Sequence, residues 1–437
     1  MNPMIPRKKN GQILIIFAVA LVALLALAAL TLDGGTIFVD RRYSQGVADT
    51  ASLAGAGAAA LSMDNSHITY STFSCDPAVI NQVLADAYNA AQARAAANQV
   101  TNLDHDLTDS NGIEVVCVNN PNQFDKHIDV HTMITSNVNT SLIQLFYPGP
   151  IRNTVNAVVR VHPRTEFAYD RAVVSLGSQC GTNTGGVIFD GTSTVNIYNG
   201  GVYSNSCITS NGTIDVNVDT NMGVGYVGTL TENGNGSISP APVQNGTMMP
   251  QQDIGPLSCS GPTLNSSSGG TISPGNYSTI KLTNGTLVLN SGLYCLSGNM
   301  SITGGEIDVA PMPDGSAGGV TIYLESGSLK ISGNATAHLN APTDTNVVPD
   351  AQVGILVYMA KGNSGNIDLE GTASSSFVGA IYAPDGTIDV GGTNQVNPTY
   401  NTQLVGQYVK VHGTADIKIQ YKTTPPHMIE PTLDAIE

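Results

Sequence analysis

Hydrophobic and polar positions follow three rhythms along this chain of 437 residues. From Ile13 to Leu32 the run is apolar, broken only by Thr31. About 20 residues at ~1.5 Å rise cover roughly 30 Å, the hydrocarbon thickness of a bilayer, which predicts a spanning helix. Beyond Gly34 and Gly35, a weak point for a helix, small residues recur at three- and four-residue steps in Ala48, Ala51, Ala54 or Gly55, and Ala58. Two readings of that narrow face stand side by side: close packing on another helix in an assembly, or an Ala-rich helix lying on its own domain. Asp76 and Pro77 open a second helix, a capping carboxylate followed by a residue whose missing N–H costs nothing in the first turn.

The rhythm then shortens to two. "GIEVVCV", "HIDVHTMIT" and "TVNAVVRVH" alternate as strands, with "TSLIQLFY" a short helix between the second and third. From about Glu166 onward the strands shrink to single pairs, Ile280/Leu282, Leu287/Leu289, Tyr294/Leu296 and Ile307/Val309, separated by glycine turns. Such pairs bury one face of very short strands, and antiparallel sandwiches usually carry longer ones. The pattern therefore predicts a coil whose turns stack on one another, a right-handed parallel β-helix. At about 20 residues per coil it would hold on the order of a dozen coils, roughly 50–60 Å of stack. The expected fold class is α+β and β: a tail at 1–12, a transmembrane helix at 13–32, a helical and α+β domain at 33–165, a β-helix at 166–425 and a flexible tail at 426–437.

Composition narrows the class. Charged residues are 11%, aromatics 5%, Trp is absent and Gly numbers 47, which fits turn-rich β structure and not an average cytosolic enzyme. A formal charge of −16 with 17 Lys and Arg argues against a nucleic-acid partner, whose phosphates need neutralising. The six cysteines, Cys75, Cys117, Cys180, Cys207, Cys259 and Cys295, show no metal-binding spacing. Pairing in chain order, Cys75–Cys117, Cys180–Cys207 and Cys259–Cys295, is one of several connectivities; buried free thiols are the alternative, and export would favour disulfides. Arg7, Lys8 and Lys9 precede the apolar run, and Arg41 and Arg42 on the far side partly oppose them in setting its orientation. The cysteines and composition favour a cytoplasmic N-terminus with the bulk of the chain outside. "ALA" at Ala26 to Ala28 offers a rival reading as a signal-peptidase site, although the run continues past it.

Candidate chemistry centres on a recurring "IDV". Asp215, Asp308, Asp368 and Asp389 each stand between two aliphatic residues. Side chains alternate across a strand, so the aliphatic pair belongs to the core and the Asp to solvent. A glycosidase would need two carboxylates at a defined separation, one with a raised pKa. A ladder of such acids serving Ca²⁺ is the other functional reading. His127, His131 and Glu114 read as solvent-facing strand residues, not ligands, for want of a third donor at a recognisable spacing. "DGTST", Asp190 to Thr194, has the form of a metal-dependent adhesion site but is followed by strand instead of helix. The N-x-[ST] triplets at Asn211, Asn245, Asn284 and Asn334 read as turn chemistry, with glycan acceptors the alternative. No catalytic residue, cofactor or metal is expected.

The order basic residues, Gly11-Gln12, apolar helix, then "LDGGTIFVDRRYSQGVADTASLAGA" resembles the N-terminal segment of TadE/TadG-like proteins of the tight-adherence (Flp) pilus system. Asp33, Gly35, Arg41, Arg42, Gln45, Ala48 and Asp49 occupy that family's positions. The resemblance covers about the first 60 residues and implies a single-pass envelope protein of pilus biogenesis. It departs at Ile16, where pilin-type leader processing after Gly11 takes Glu. "GGVYSNSCITSNGTIDV" and "FVGAIYAPDGTIDVGG" with the coil that follows resemble the Gly-rich β-helical domains attached to TadG-like and other pilus-associated surface proteins. Expected partners are the lipid bilayer, pilus-assembly proteins or surface glycans. The expected function is pilus assembly or surface adhesion without enzymatic activity; an exported β-helix enzyme acting on polysaccharide is the alternative.

Overall fold

The computed structural model describes residues 12–436 apart from 109–110, 121–122, 146–147, 182–184, 220–222, 344–349, 371–373, 393–398 and 422–426. Arg7, Lys8, Lys9 and Gly11 therefore lie outside the described residues. The chain forms two units, one of Met1–Asn119, Lys126–Pro163 and Pro431–Glu437, the other of Asn120–Asp125 and Arg164–Glu430.

In the first unit, α1 spans Gln12–Asn65 without interruption, passing straight through Gly34 and Gly35. Helix α2 follows at Pro77–Ala97, its first turn capped by the Asp76 side chain, which accepts from the Ala78 N–H. Strands β1 (Gly112–Asn120), β2 (Asp125–Val138) and β3 (Ile151–Val161) line up beside them, β2 and β3 antiparallel from Ile128↔Val161 to Val138↔Ile151. The small face of α1 turns inward. Ala48, Ala51, Ala56 and Ala59 are fully buried, and a Cβ on Gly55 would stand 2.8 Å from Val130 and 2.9 Å from the Ala87 carbonyl. Of the two readings of that face, packing within its own domain is the one realised. A disulfide joins Cys75 to Cys117. Two expectations need correction. In the short helix expected at 140–147, the described residues form only a 3-10 turn, Ile143–Leu145. The tail expected to be flexible carries a strand, Leu433–Ile436, antiparallel to β3, because Val158 to Val161 offer an open edge for its backbone donors and acceptors.

The second unit contains one 25-stranded sheet whose register pairs are parallel. Typically each strand pairs with the strand three further along, so the strands pile into three columns. One column reads, rung by rung, Ser266, Ile280, Met300, Leu329, Ile367, Ile388, Val409, Val187, Ile208 and Leu230. At about 4.8 Å per rung those ten rungs extend roughly 43 Å. That is shorter than the length expected from about 20 residues per coil, because longer connections before Val320 and Ile355 lengthen some turns. The stack does not follow chain order. Residues 399–420 end the C-terminal run, and they pair onto the first strands of the unit, with Leu404↔Val173, Tyr408↔Gly186 and Ile417↔Val195.

Aliphatic side chains fill the interior, joined by Phe377 stacked on Tyr400 at 5.5 Å. The Tyr400 hydroxyl donates to the Leu369 carbonyl, 2.7 Å away, so its burial leaves no donor unmet. At one corner five glycines, Gly392, Gly413, Gly191, Gly212 and Gly234, stack in register.

One column is buried on both sides. Its outward positions run Cys295, Tyr323, Tyr358, Tyr382, Val405, Val174 and Tyr203 in register. Those residues are nonetheless at most 5% exposed. The segment 245–263, which connects the two ends of the stack, runs over them. Asn205 exchanges hydrogen bonds with Met249, Tyr203 and Tyr382 donate to the Thr247 and Gln252 carbonyls, and Cys259 is disulfide-bonded to Cys295. Cys180 and Cys207 remain thiols, the first exposed and the second buried. This corrects the Cys180–Cys207 pair expected from chain order. Burial and the hydrogen bond to Cys180 push the Cys207 thiol up to about 11, which keeps it protonated near neutral pH.

Candidate functional site

Helix α1 is the only candidate membrane span among the described residues. Its apolar half leaves Leu14, Phe17, Leu24 and Leu30 largely exposed. Past that half, the helix docks on the sheet through the residues picked out by sequence. Asp33 accepts the backbone N–H groups of Ser141, Leu142 and Ile143. Gln45 donates to the Asn156 carbonyl at 3.0 Å and to Asp49 at 2.8 Å, and Ala48 is buried. Gly35, Arg41 and Arg42 remain on the open side. Asp40 takes hydrogen bonds from Ser136 and Asn153, a role that the sequence pattern did not signal.

The four "IDV" aspartates fall in two different columns. Asp215 and Asp308 belong to one; Asp215 accepts from the Ser237 amide and hydroxyl on the next rung, at 3.0 and 2.8 Å. Asp368 and Asp389 are direct register partners in another, flanked in the same row by Lys330 and Lys410. Lys330 stands 3.7 Å from Asp368 and Lys410 3.4 Å from Asp389. His412 bridges two acids, with Nδ1 2.6 Å from Asp389 and Nε2 3.5 Å from Glu370. The hydrogen bond to Asp389 raises the His412 pKa above its ordinary value against the opposing effect of burial. Burial raises Asp368, helped by the neighbouring Asp389 and Glu370 and opposed by Lys330. Chemically this is a row of three carboxylates matched by two ammonium groups and a histidine whose pKa Asp389 raises. Its charges are largely balanced from within.

A second group brings Glu306, Asp308 and His338 together, one donor atom of each within 4.8 Å of the others. His338 lies 3.8 Å from Glu306, and all three are half-exposed. Two carboxylates and an imidazole could hold a borderline divalent cation such as Zn²⁺. The other sequence candidates disperse. His127 is buried and 3.4 Å from Asp129, which is itself gripped by Arg160 through two hydrogen bonds of 2.8 and 2.9 Å. Glu114 and His131 sit half-buried on their strands. Asp190 closes one strand, Gly186–Gly191, and Thr194 opens the next, Thr194–Tyr198, so an adhesion-type metal site lacks its helix. Asn211 stacks under Asn233, their side-chain amides bonded at 3.1 Å, as Asn196 does with Asn217 at 3.2 Å. These asparagines tie neighbouring rungs together.

No curated protein and no solved structure matches this chain. One family model does match, over residues 11–60, and that stretch is nearly coextensive with α1. The family is described as Flp pilus-assembly TadE/G-like, and residues 11–60 of this chain are similar to it.

Proposed function

We propose that this is a membrane-anchored envelope protein of Flp-type pilus assembly or surface adhesion, without enzymatic activity. The TadE/G-like match on an apolar, membrane-length helix carries the reading. In it the N-terminus is cytoplasmic and everything beyond the span is extracytoplasmic, a placement supported by two disulfides, which persist in oxidising compartments. The stacked columns form a right-handed parallel β-helix, a rod offering long faces to pilus subunits or surface glycans. Balanced charges on the Asp368–Asp389 row suit a scaffold better than a catalyst, which needs a carboxyl held apart from neutralising partners. Deleting the protein from a piliated host tests this: loss of pili or of attachment is expected, and unchanged piliation and attachment would refute it.

A second reading, an enzyme acting on polysaccharide, draws on the same row, since Asp368 and Asp389 occupy adjacent rungs beside His412. Incubation of purified protein with envelope glycans separates the two. Cleavage abolished by Asp389→Asn would favour the enzyme, and absence of cleavage the scaffold.

A further inference from the structure

Asp33 is the first residue beyond the apolar run and is only 2% exposed. What buries it is the loop between β2 and β3. Its carboxylate accepts the N–H groups of Ser141 and Leu142 at 2.8 Å each and of Ile143 at 2.6 Å. Side chains on a helix tilt toward its N-terminus, so this carboxylate reaches back toward the membrane-length half of α1 and not away from it. The loop is thereby fastened at the level where α1 leaves the hydrocarbon. Leu142 and Ile143 on that loop are half-exposed apolar residues.

The helix beside the loop shows the gradient expected at a bilayer boundary. Phe38 and Val39 are each 67% exposed, Arg41 and Arg42 come next on the open side, and Tyr43 is 52% exposed. Apolar side chains followed by basic and aromatic ones are what a surface needs as it passes from acyl chains to headgroups. The neighbouring acid is withdrawn from that surface, since Asp40 is engaged by Ser136 and Asn153. Backbone amides held where water is scarce must find partners within the protein, and Asp33 supplies them for three consecutive residues.

We propose that the loop bearing Leu142 and Ile143 is a second membrane contact, seated in the headgroup layer of the bilayer that α1 spans. The first unit then rests on the membrane surface, and the long helix is not a bare stalk. The occupant is the lipid bilayer, because the loop is continuous with the span that Asp33 terminates. This inference rests on reading α1 as a membrane span, and the experiment separates failure of the one from failure of the other.

The chain contains no Trp, so a single introduced Trp reports its own position without background. Full-length protein is placed in lipid nanodiscs of phosphatidylethanolamine and phosphatidylglycerol with nitroxide-labelled lipids. Leu24→Trp probes the span, Leu142→Trp the loop, and Ser66→Trp the far end of α1, about 50 Å beyond Asp33 at ~1.5 Å per residue. Gln144→Trp, at an exposed loop position, provides a second loop reporter should Leu142→Trp disturb folding. Quenching by headgroup-proximal nitroxide is expected to be at least about twofold stronger at 142 or 144 than at 66, with 24 quenched by mid-chain nitroxide. If 24 is quenched and neither loop reporter exceeds 66, the surface contact is wrong and the span stands. If 24 is not quenched, both are wrong.

Discussion

The glycine corner offers the sharpest perturbation of the stack. Gly212 has φ of +85°, and a Cβ built on it would lie 2.3 Å from the Gly191 carbonyl oxygen on the rung beneath. Relieving that approach to an ordinary contact of 3.4 Å requires the two rungs to part by about 1 Å. The rungs are held there by hydrogen bonds from the Thr213 N–H to the Gly191 carbonyl, 3.0 Å, and from the Asn235 N–H to the Gly212 carbonyl, 3.1 Å. Left-handed backbone costs an L-residue about 1–2 kcal/mol, and losing one or both bonds adds about 0.5–1.5 kcal/mol each. Gly212→Ala is therefore expected to destabilise this end of the stack by about 2–4 kcal/mol. Gly46→Ala supplies the opposite sign, for Gly46 is an exposed interior residue of α1 with nothing within 4 Å, and alanine there should gain about 0.8–1 kcal/mol. Hydrogen exchange read by mass spectrometry on full-length protein compares the variants. Faster exchange in peptides covering 186–239 is expected for Gly212→Ala. Wild-type protection throughout would refute the stacked-corner geometry.

The His412 row predicts a pH dependence. A pKa raised in the folded state means that the folded protein binds the proton more tightly than the unfolded chain; the contribution is complete below about 6.5 and is lost as pH climbs through the raised value. Asp368, also raised, acts in the same direction at lower pH. Urea midpoints of wild type and His412→Gln should thus converge as pH rises, and a gap that widens would contradict the assignment. Cysteine titration with a thiol reagent should find Cys180 reactive in the native protein and Cys207 only after unfolding; a denatured sample with no free thiol would show that the pair is oxidised. Replacing Cys259 with Ser opens a disulfide spanning 36 residues, for which loop entropy gives about 4 kcal/mol, and proteolysis should then cut preferentially within 245–263. Unchanged resistance in that segment would mean that the tyrosine contacts hold it without the bond.

Much of this arrangement is written in local pattern. The apolar run, the Asp76–Pro77 start of α2, and the two-residue alternation with glycine turns all depend on neighbours in sequence, and they recur in the structure where the pattern puts them. What escapes depends on partners far apart. Ile214 and Val216 point inward and Asp215 outward as alternation requires, but Tyr323, Tyr358 and Tyr382, equally outward, are buried because 245–263 covers them. Nothing periodic in that segment announces a packing role. Asp368 and Asp389 lie one coil of about the expected 20 residues apart and meet as register partners, but elsewhere, as between Leu329 and Ile367, inserted loops make the rungs unequal, so register along the stack cannot be counted from spacing. The tail strand and the Asp33 bonds were hidden for the same reason: a sheet edge or a loop amide states its need for a partner without saying which residue answers.

The joint at which residues 399–420 close onto 171–198 carries the register of the whole stack, and it brings together residues more than two hundred positions apart in sequence. Asn196 and Lys418 are outward-facing register partners across that joint. Oxidation of a double variant, Asn196→Cys with Lys418→Cys, on a Cys180→Ser/Cys207→Ser background, should form an intramolecular disulfide that alters mobility on a non-reducing gel. Efficient bond formation at this pair, with none when Lys418 is replaced by the inward-facing Ile419 as the cysteine position, is the predicted result. Absence of the Asn196–Lys418 bond under conditions that leave Cys259–Cys295 oxidised would contradict the stacked architecture.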